Sequence, residues 1–186
     1  YRQMGNQAGA ERFYKRVADE HPESPQAARA SLRRAEFALA GGDADEARAL
    51  LKGVQKGDPP AETAAAAAYY LGLAEQKAGK TAAAAKAFES VLKAHGATPH
   101  AAYAALELAA LHDGKKGSEA EMAGWFETAA RAAATPSAKA EALYRWGDWA
   151  YRRGDYGLAA DTLQSLLVEL PTERRAGDAR LALAWS

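Results

Sequence analysis

The chain has 186 residues, of which 48% are hydrophobic and 26% charged, and its 24 basic and 24 acidic side chains give a formal net charge of zero. That balance supplies no overall electropositive field for nucleic-acid phosphates. The absence of cysteine excludes a disulfide framework and a thiolate zinc site, and no apolar run approaches the roughly 20 residues that span a bilayer.

Alanine makes up much of the apolar share, which favours helices whose axes approach closely. The first residues show no basic stretch leading into an apolar core. With tyrosine at position 1, the start of the gene product is expected upstream, so the compartment stays open.

In chain order, Tyr1 stands where a helix would end, Gly5 and Asn6 predict a turn, and Ala10 and Tyr14 predict the packed face of a second helix closed by Pro22. Residues 24–60 predict a full helical hairpin. Ser24 and Pro25 begin it, Leu32, Ala35, Ala38 and Leu39 form a stripe, Gly41-Gly42-Asp43 turns, and Ala47 and Leu51 pack. In 61–97 the same positions hold Ala68, Leu71, Gly72, Gly79, Ala84 and Phe88, and the alanines 64–68 read as a strong helix former.

Residues 98–136 depart from the pattern. Tyr103 and Leu106 fit a first helix, Glu107 replaces the glycine, and the turn from His112 to Gly117 is about three residues too long for its place, before Met122 and Phe126 resume the second helix. Gly124, Trp125 and Phe126 also resemble a Sel1-type second helix. Residues 137–172 fit best, with Leu143, Trp146, Gly147, Ala150, Ala159, Leu163 and Pro171 in place, and 173–186 read as one further first helix.

The small slots at Ala10, Ala47, Ala84, Met122 and Ala159 are 37, 37, 38 and 37 residues apart, each with a bulky residue four later. A hairpin cannot bury its own apolar faces, so such units stack on their neighbours. Gly72, Gly147, Ala47, Ala84 and Ala159 are expected at close helix crossings, and Phe88, Phe126 and Leu163 between successive units.

This arrangement resembles the tetratricopeptide repeat family over essentially the whole chain, with a period longer than the common 34. The proline-bearing inter-repeat segments 21–28 and 170–179 are similar to those of bacterial cell-envelope members, such as the Tol–Pal coordinator and the lipoprotein of outer-membrane assembly. The resemblance implies an all-α fold, a right-handed α-solenoid of antiparallel helix pairs. It has four full units and partial units at both ends, in one domain spanning 1–186 and forming a fragment of a longer protein.

The resemblance further implies a non-catalytic scaffold whose concave groove takes a peptide or partner protein, with a periplasmic or envelope location favoured over a cytoplasmic one. Carried over slot by slot, the groove residues are Arg29, Leu32, Arg33 and Glu36; Tyr69, Tyr70, Leu73, Gln76 and Lys77; Ala104, Leu108, Leu111 and His112; and Tyr144, Arg145, Asp148, Tyr151 and Arg152. Helical spacing puts Tyr144, Asp148, Tyr151 and Arg152 on one face, and tyrosine and arginine are enriched at binding hot spots. Packing between helices is the competing role for these tyrosines, above all Tyr70. Trp146 and Trp149 are expected to be structural, and the lysine–asparagine clamp for carboxylate termini is missing.

No phosphate-binding, dinucleotide, nucleophile-elbow or zinc-protease motif occurs. His21, His95, His100 and His112 stand near helix ends without metal-ligand spacing. The pairs Asp43/Asp45 and Glu119/Glu121 have the character of helix first turns. No catalytic residue, metal or cofactor is therefore expected, nor nucleic acid or membrane insertion. The alternative reading is an oligomerisation or regulatory segment of a larger enzyme or secretion component, associating through the solenoid ends with an exposed Trp185.

Overall fold

In a computed structural model that describes residues 2–115 and 117–184, every regular element is helical. The chain falls into two compact units, 1–95 and 96–186. The first holds α1 (Arg2–Glu20), α2 (Pro25–Gly41), α3 (Ala44–Lys56), α4 (Ala61–Lys77) and α5 (Thr81–His95). The second holds α6 (Pro99–His112), α7 (Glu119–Ala132), α8 (Pro136–Arg152), α9 (Tyr156–Glu169) and α10 (Arg174–Ala184). Inside each unit every helix packs on the next. The first helices of successive hairpins also touch, α2 with α4, α6 with α8 and α8 with α10, which is the stepwise stacking of a helical solenoid.

The 37-residue period is visible atom by atom at the tight turns. Gly42, Gly79 and Gly154 each take a left-handed conformation, with φ of 87°, 73° and 81°. The amide of the next residue then reaches back to the preceding first helix, Asp43 to Ala38, Lys80 to Glu75 and Asp155 to Ala150, a closure that leaves the glycine no steric penalty. Asp43 and Asp155 also start the following helix, accepting from the amides of Glu46 at 2.9 Å and Leu158 at 3.1 Å. Ser24 and Thr135 do the same for α2 and α8.

The second helices repeat one buried triad, Ala47, Leu51 and Val54 in α3, Ala84, Phe88 and Val91 in α5, Met122, Phe126 and Ala129 in α7, and Ala159, Leu163 and Leu166 in α9. Spacings of four and three keep each triad on one helix face.

Three expectations change. Gly5 and Asn6 are not a turn, because α1 runs unbroken from Arg2 to Glu20. An isolated glycine costs a helix only about 1 kcal/mol and does not end it. The long turn of the third hairpin comes from a short helix, α6 having 14 residues where α2, α4 and α8 each have 17. Glu107 there is half-buried, where Gly72 and Gly147 are buried. Phe88 and Leu163 do more than fill gaps between units, because each packs on a glycine of its own hairpin. Leu163 also shares a core with Ala176 and Ala179 of the next unit, and Phe126 reaches the next one, where its ring meets Trp146 and Trp149. Tyr1, Lys116 and Trp185 lie outside the described residues.

Candidate functional site

Of the expected groove positions, some are unreachable and some are occupied by structural work. Leu108 and Ala104 are fully buried, and Leu32 is nearly so. These three are corrected to core residues: in alanine-rich helices the few leucines are drawn inward on any face that meets a neighbour. Leu73 and Tyr70 pack against the core of the first unit. Tyr69 lies against Phe88, with ring centroids 5.9 Å apart.

Lys77 and Arg152, which stand at the same place in α4 and α8, both reach back to the end of the preceding first helix. Lys77 Nζ donates to the carbonyl of Leu39 at 2.7 Å, and Arg152 Nη1 to Asp113 at 2.9 Å. Arg152 also donates through Nε to Asp148 at 3.0 Å. The Asp113 hydrogen bond holds the Arg152 guanidinium above its ordinary pKa, against a smaller lowering by burial. Lys77 meets the carbonyl end of α2 and the negative end of its dipole, and Arg152 meets the carboxylate that follows α6, so these two residues staple one repeat to the next. Arg145 also bridges the two repeats, donating to the Leu106 carbonyl within α6 at 3.2 Å.

In the first unit, Arg33 pairs with Glu36 on its own helix at 2.6 Å, which raises its pKa. Arg29 is exposed and Gln76 half-buried. His112 donates through Nδ1 to the Leu108 carbonyl at 3.0 Å, its ring tilted against Trp125 with centroids 4.8 Å apart, and Leu111 is half-buried.

The expected residues that do converge are Tyr144, Asp148 and Tyr151 on α8. With Gly147, Leu163 of α9 and Ala182 of α10 they line a cavity of about 160 Å³. Tyr151 stands at its edge in a T-shaped contact with Tyr156, and both rings are exposed, 39% and 55%. Arg175 of α10 lies 4.5 Å over the Tyr144 ring and pairs with Glu141 and Asp178, a cation–π and ion-pair contact that fixes the ring. Sequence reasoning missed Tyr156, Gly147 and Leu163 as parts of this site. The only signal for Gly147 and Leu163 was the Gly–Leu combination at slots where Gly72 is paired with the larger Phe88.

Wider, more polar hollows open along the inter-repeat loops of the first unit, of about 440 and 550 Å³, lined one period apart by Pro22 and Pro59 and by Ala27 and Ala64. Among the described residues no group of three His, Asp or Glu side chains is placed to hold a metal, and no helix is long and apolar enough to cross a membrane. Glu75, a buried carboxylate, accepts from Arg48 Nε at 3.1 Å across α3 and α4, a structural ion pair.

Tetratricopeptide repeat models match residues 1–69, 69–139 and 141–172. The chain belongs to the tetratricopeptide repeat family. Among solved structures, MamA is similar over 100% of this chain and 95% of its own at 20% identity, with a TM-score of 0.66. YrrB, a tetratricopeptide repeat protein with an unusual peptide-binding site, matches at 14% identity over 96% and 85%, with a TM-score of 0.61. PilF of Pseudomonas aeruginosa matches at 19% identity over 98% and 92%, with a TM-score of 0.59. At such identities the likeness is one of fold. No curated protein matches the chain in sequence. Repeats of this family are protein-interaction modules, and the chain is accordingly a scaffold of stacked hairpins.

Proposed function

We propose that this chain binds a peptide or an extended partner segment on the first-helix face of its second unit, at α8, and performs no catalysis itself. The observation that supports this is that Tyr144 and Tyr151 line a cavity, with Tyr156 set against Tyr151 and the Tyr151 and Tyr156 rings exposed. Tyrosine gives large contact area at small entropic cost and dominates binding hot spots. The arginines expected to share the task are committed elsewhere, Arg152 to Asp113 and Arg145 to Leu106, so they orient the face and leave the contact to the rings. Service in bacterial envelope assembly is part of this reading, supported by the inter-repeat segments alone. Fractionation of the native host would place the protein.

The test is selection of peptides from a displayed random library on the 186-residue chain. Enriched peptides should lose binding to a Tyr151→Ala/Tyr156→Ala variant whose helical circular dichroism and melting match wild type. Failure to enrich any peptide, or unchanged binding by the variant, would remove the site from α8.

A further inference from the structure

Two hairpins of this chain carry the same glycine and tyrosine in their first helices. In α4–α5 the Phe88 ring lies on Gly72, so close that a Cβ there would sit 2.3 Å from it, and meets Tyr69 on its side. In α8–α9 the counterparts are Gly147, Tyr144 and Leu163. The glycine is kept but the ring is not, and the cavity of about 160 Å³ stands against the same glycine and tyrosine. In α2–α3 the leucine Leu51 shares its core with Ala35, which carries a methyl where Gly72 and Gly147 carry none. The α8–α9 hairpin combines glycine with leucine, and the cavity lies beside that pair.

Resting on the reading of α8 as the binding face, we infer that this cavity is an acceptor for an aromatic side chain of the bound segment, which supplies in trans the ring that Phe88 supplies in cis. A cavity of about 150 Å³ with apolar walls is large enough for a benzene ring. The lining suits a ring: Tyr144 and Tyr151 can make offset or T-shaped contact, and Leu163, packed on Gly147, adds an apolar side chain. Asp148, half exposed on the wall, is held by Arg152 through Oδ2, and its carboxylate can accept the backbone N–H of the segment that carries the ring.

The decisive variant is Leu163→Phe, which installs the internal ring that the α4–α5 hairpin already accommodates. It should melt no lower than wild type and bind the library-selected peptides at least about tenfold more weakly. Those peptides should share one aromatic position whose replacement by alanine costs as much. As a measurement that needs no variant, N-acetylphenylalanine amide should shift the amide resonances of Gly147, Tyr151 and Leu163, and N-acetylalanine amide should not. Selected peptides without a shared aromatic residue, or with equal affinity for Leu163→Phe, would overturn the acceptor while leaving the α8 binding face intact. Absence of both selected peptides and resonance shifts would overturn the two together.

Discussion

The hairpins α4–α5 and α8–α9 are built to one plan and finished differently. Both close through a left-handed glycine, both bury a small residue at the crossing, and both end the first helix with a cation that reaches the preceding repeat. In α4–α5 the central slot holds Phe88, fully buried against Gly72, and Tyr69 packs on it. In α8–α9 the slot holds Leu163, and a cavity opens towards Tyr144 and Tyr151. One side chain thus separates a hairpin that satisfies itself from one that has room for something else. Close packing is so nearly complete in protein interiors that a single missing ring is felt as a site.

The sharpest way to break this comparison is Phe88→Ala. It should cost about 3–5 kcal/mol, read as a lowered denaturant midpoint, because a fully buried ring leaves a hole lined by Gly72 and Tyr69 that nothing on the chain can fill. A loss below about 1 kcal/mol would mean the hairpin collapses onto the vacancy, and the same relaxation would then be expected at α8–α9.

The next effect in size comes from the glycines. Gly72→Ala forces a methyl against the Phe88 ring and should cost on the order of 1–3 kcal/mol. Gly147→Ala brings a methyl 2.6 Å from Leu163 Cγ, but Leu163 borders free space and can turn into it. Its cost should therefore be the smaller of the two in paired urea titrations. Equal losses would show that the α8–α9 cavity gives no relief to its own walls.

Much of this plan was legible in the residues. The small slots at Ala47, Ala84, Met122 and Ala159 and the bulky slots four later are all buried as the period demands. The turns at Gly42, Gly79 and Gly154 follow from the need for a positive φ. Legibility failed where the outcome depends on a competitor rather than on the local string. Gly5-Asn6 has the chemistry of a turn, but the surrounding residues hold α1 together. Lys77 and Arg152 have the chemistry of ligand contacts, but partners 38 and 39 residues away claim them first. Leu108 sits at a groove slot, yet the packing around α6 buries it. The cavity itself could not be read from α8 alone. It exists because Leu163 is smaller than Phe88 while Gly147 stays as bare as Gly72, a difference between repeats and not a motif within one.

The smallest expected effect tests whether the two cations are staples or idle. Lys77 reaches a main-chain carbonyl, whereas Arg152 reaches two carboxylates while remaining about half exposed. Exposed ion pairs contribute roughly 0.2–1 kcal/mol and weaken with salt. Arg152→Met should therefore cost less than about 1 kcal/mol at low ionic strength and almost nothing in molar salt. Lys77→Met should cost a similar small amount that salt erodes less, because a carbonyl carries no net charge to screen. The arginine variant carries a further consequence for the site. Without Arg152, Asp148 is released at the cavity wall, and tighter or looser peptide binding by that variant at unchanged stability would reveal whether its carboxylate is better held or free. Identical salt curves for the two variants would show that the α8 contact is no more ionic than the α4 one, and that the hairpins differ in their central ring alone.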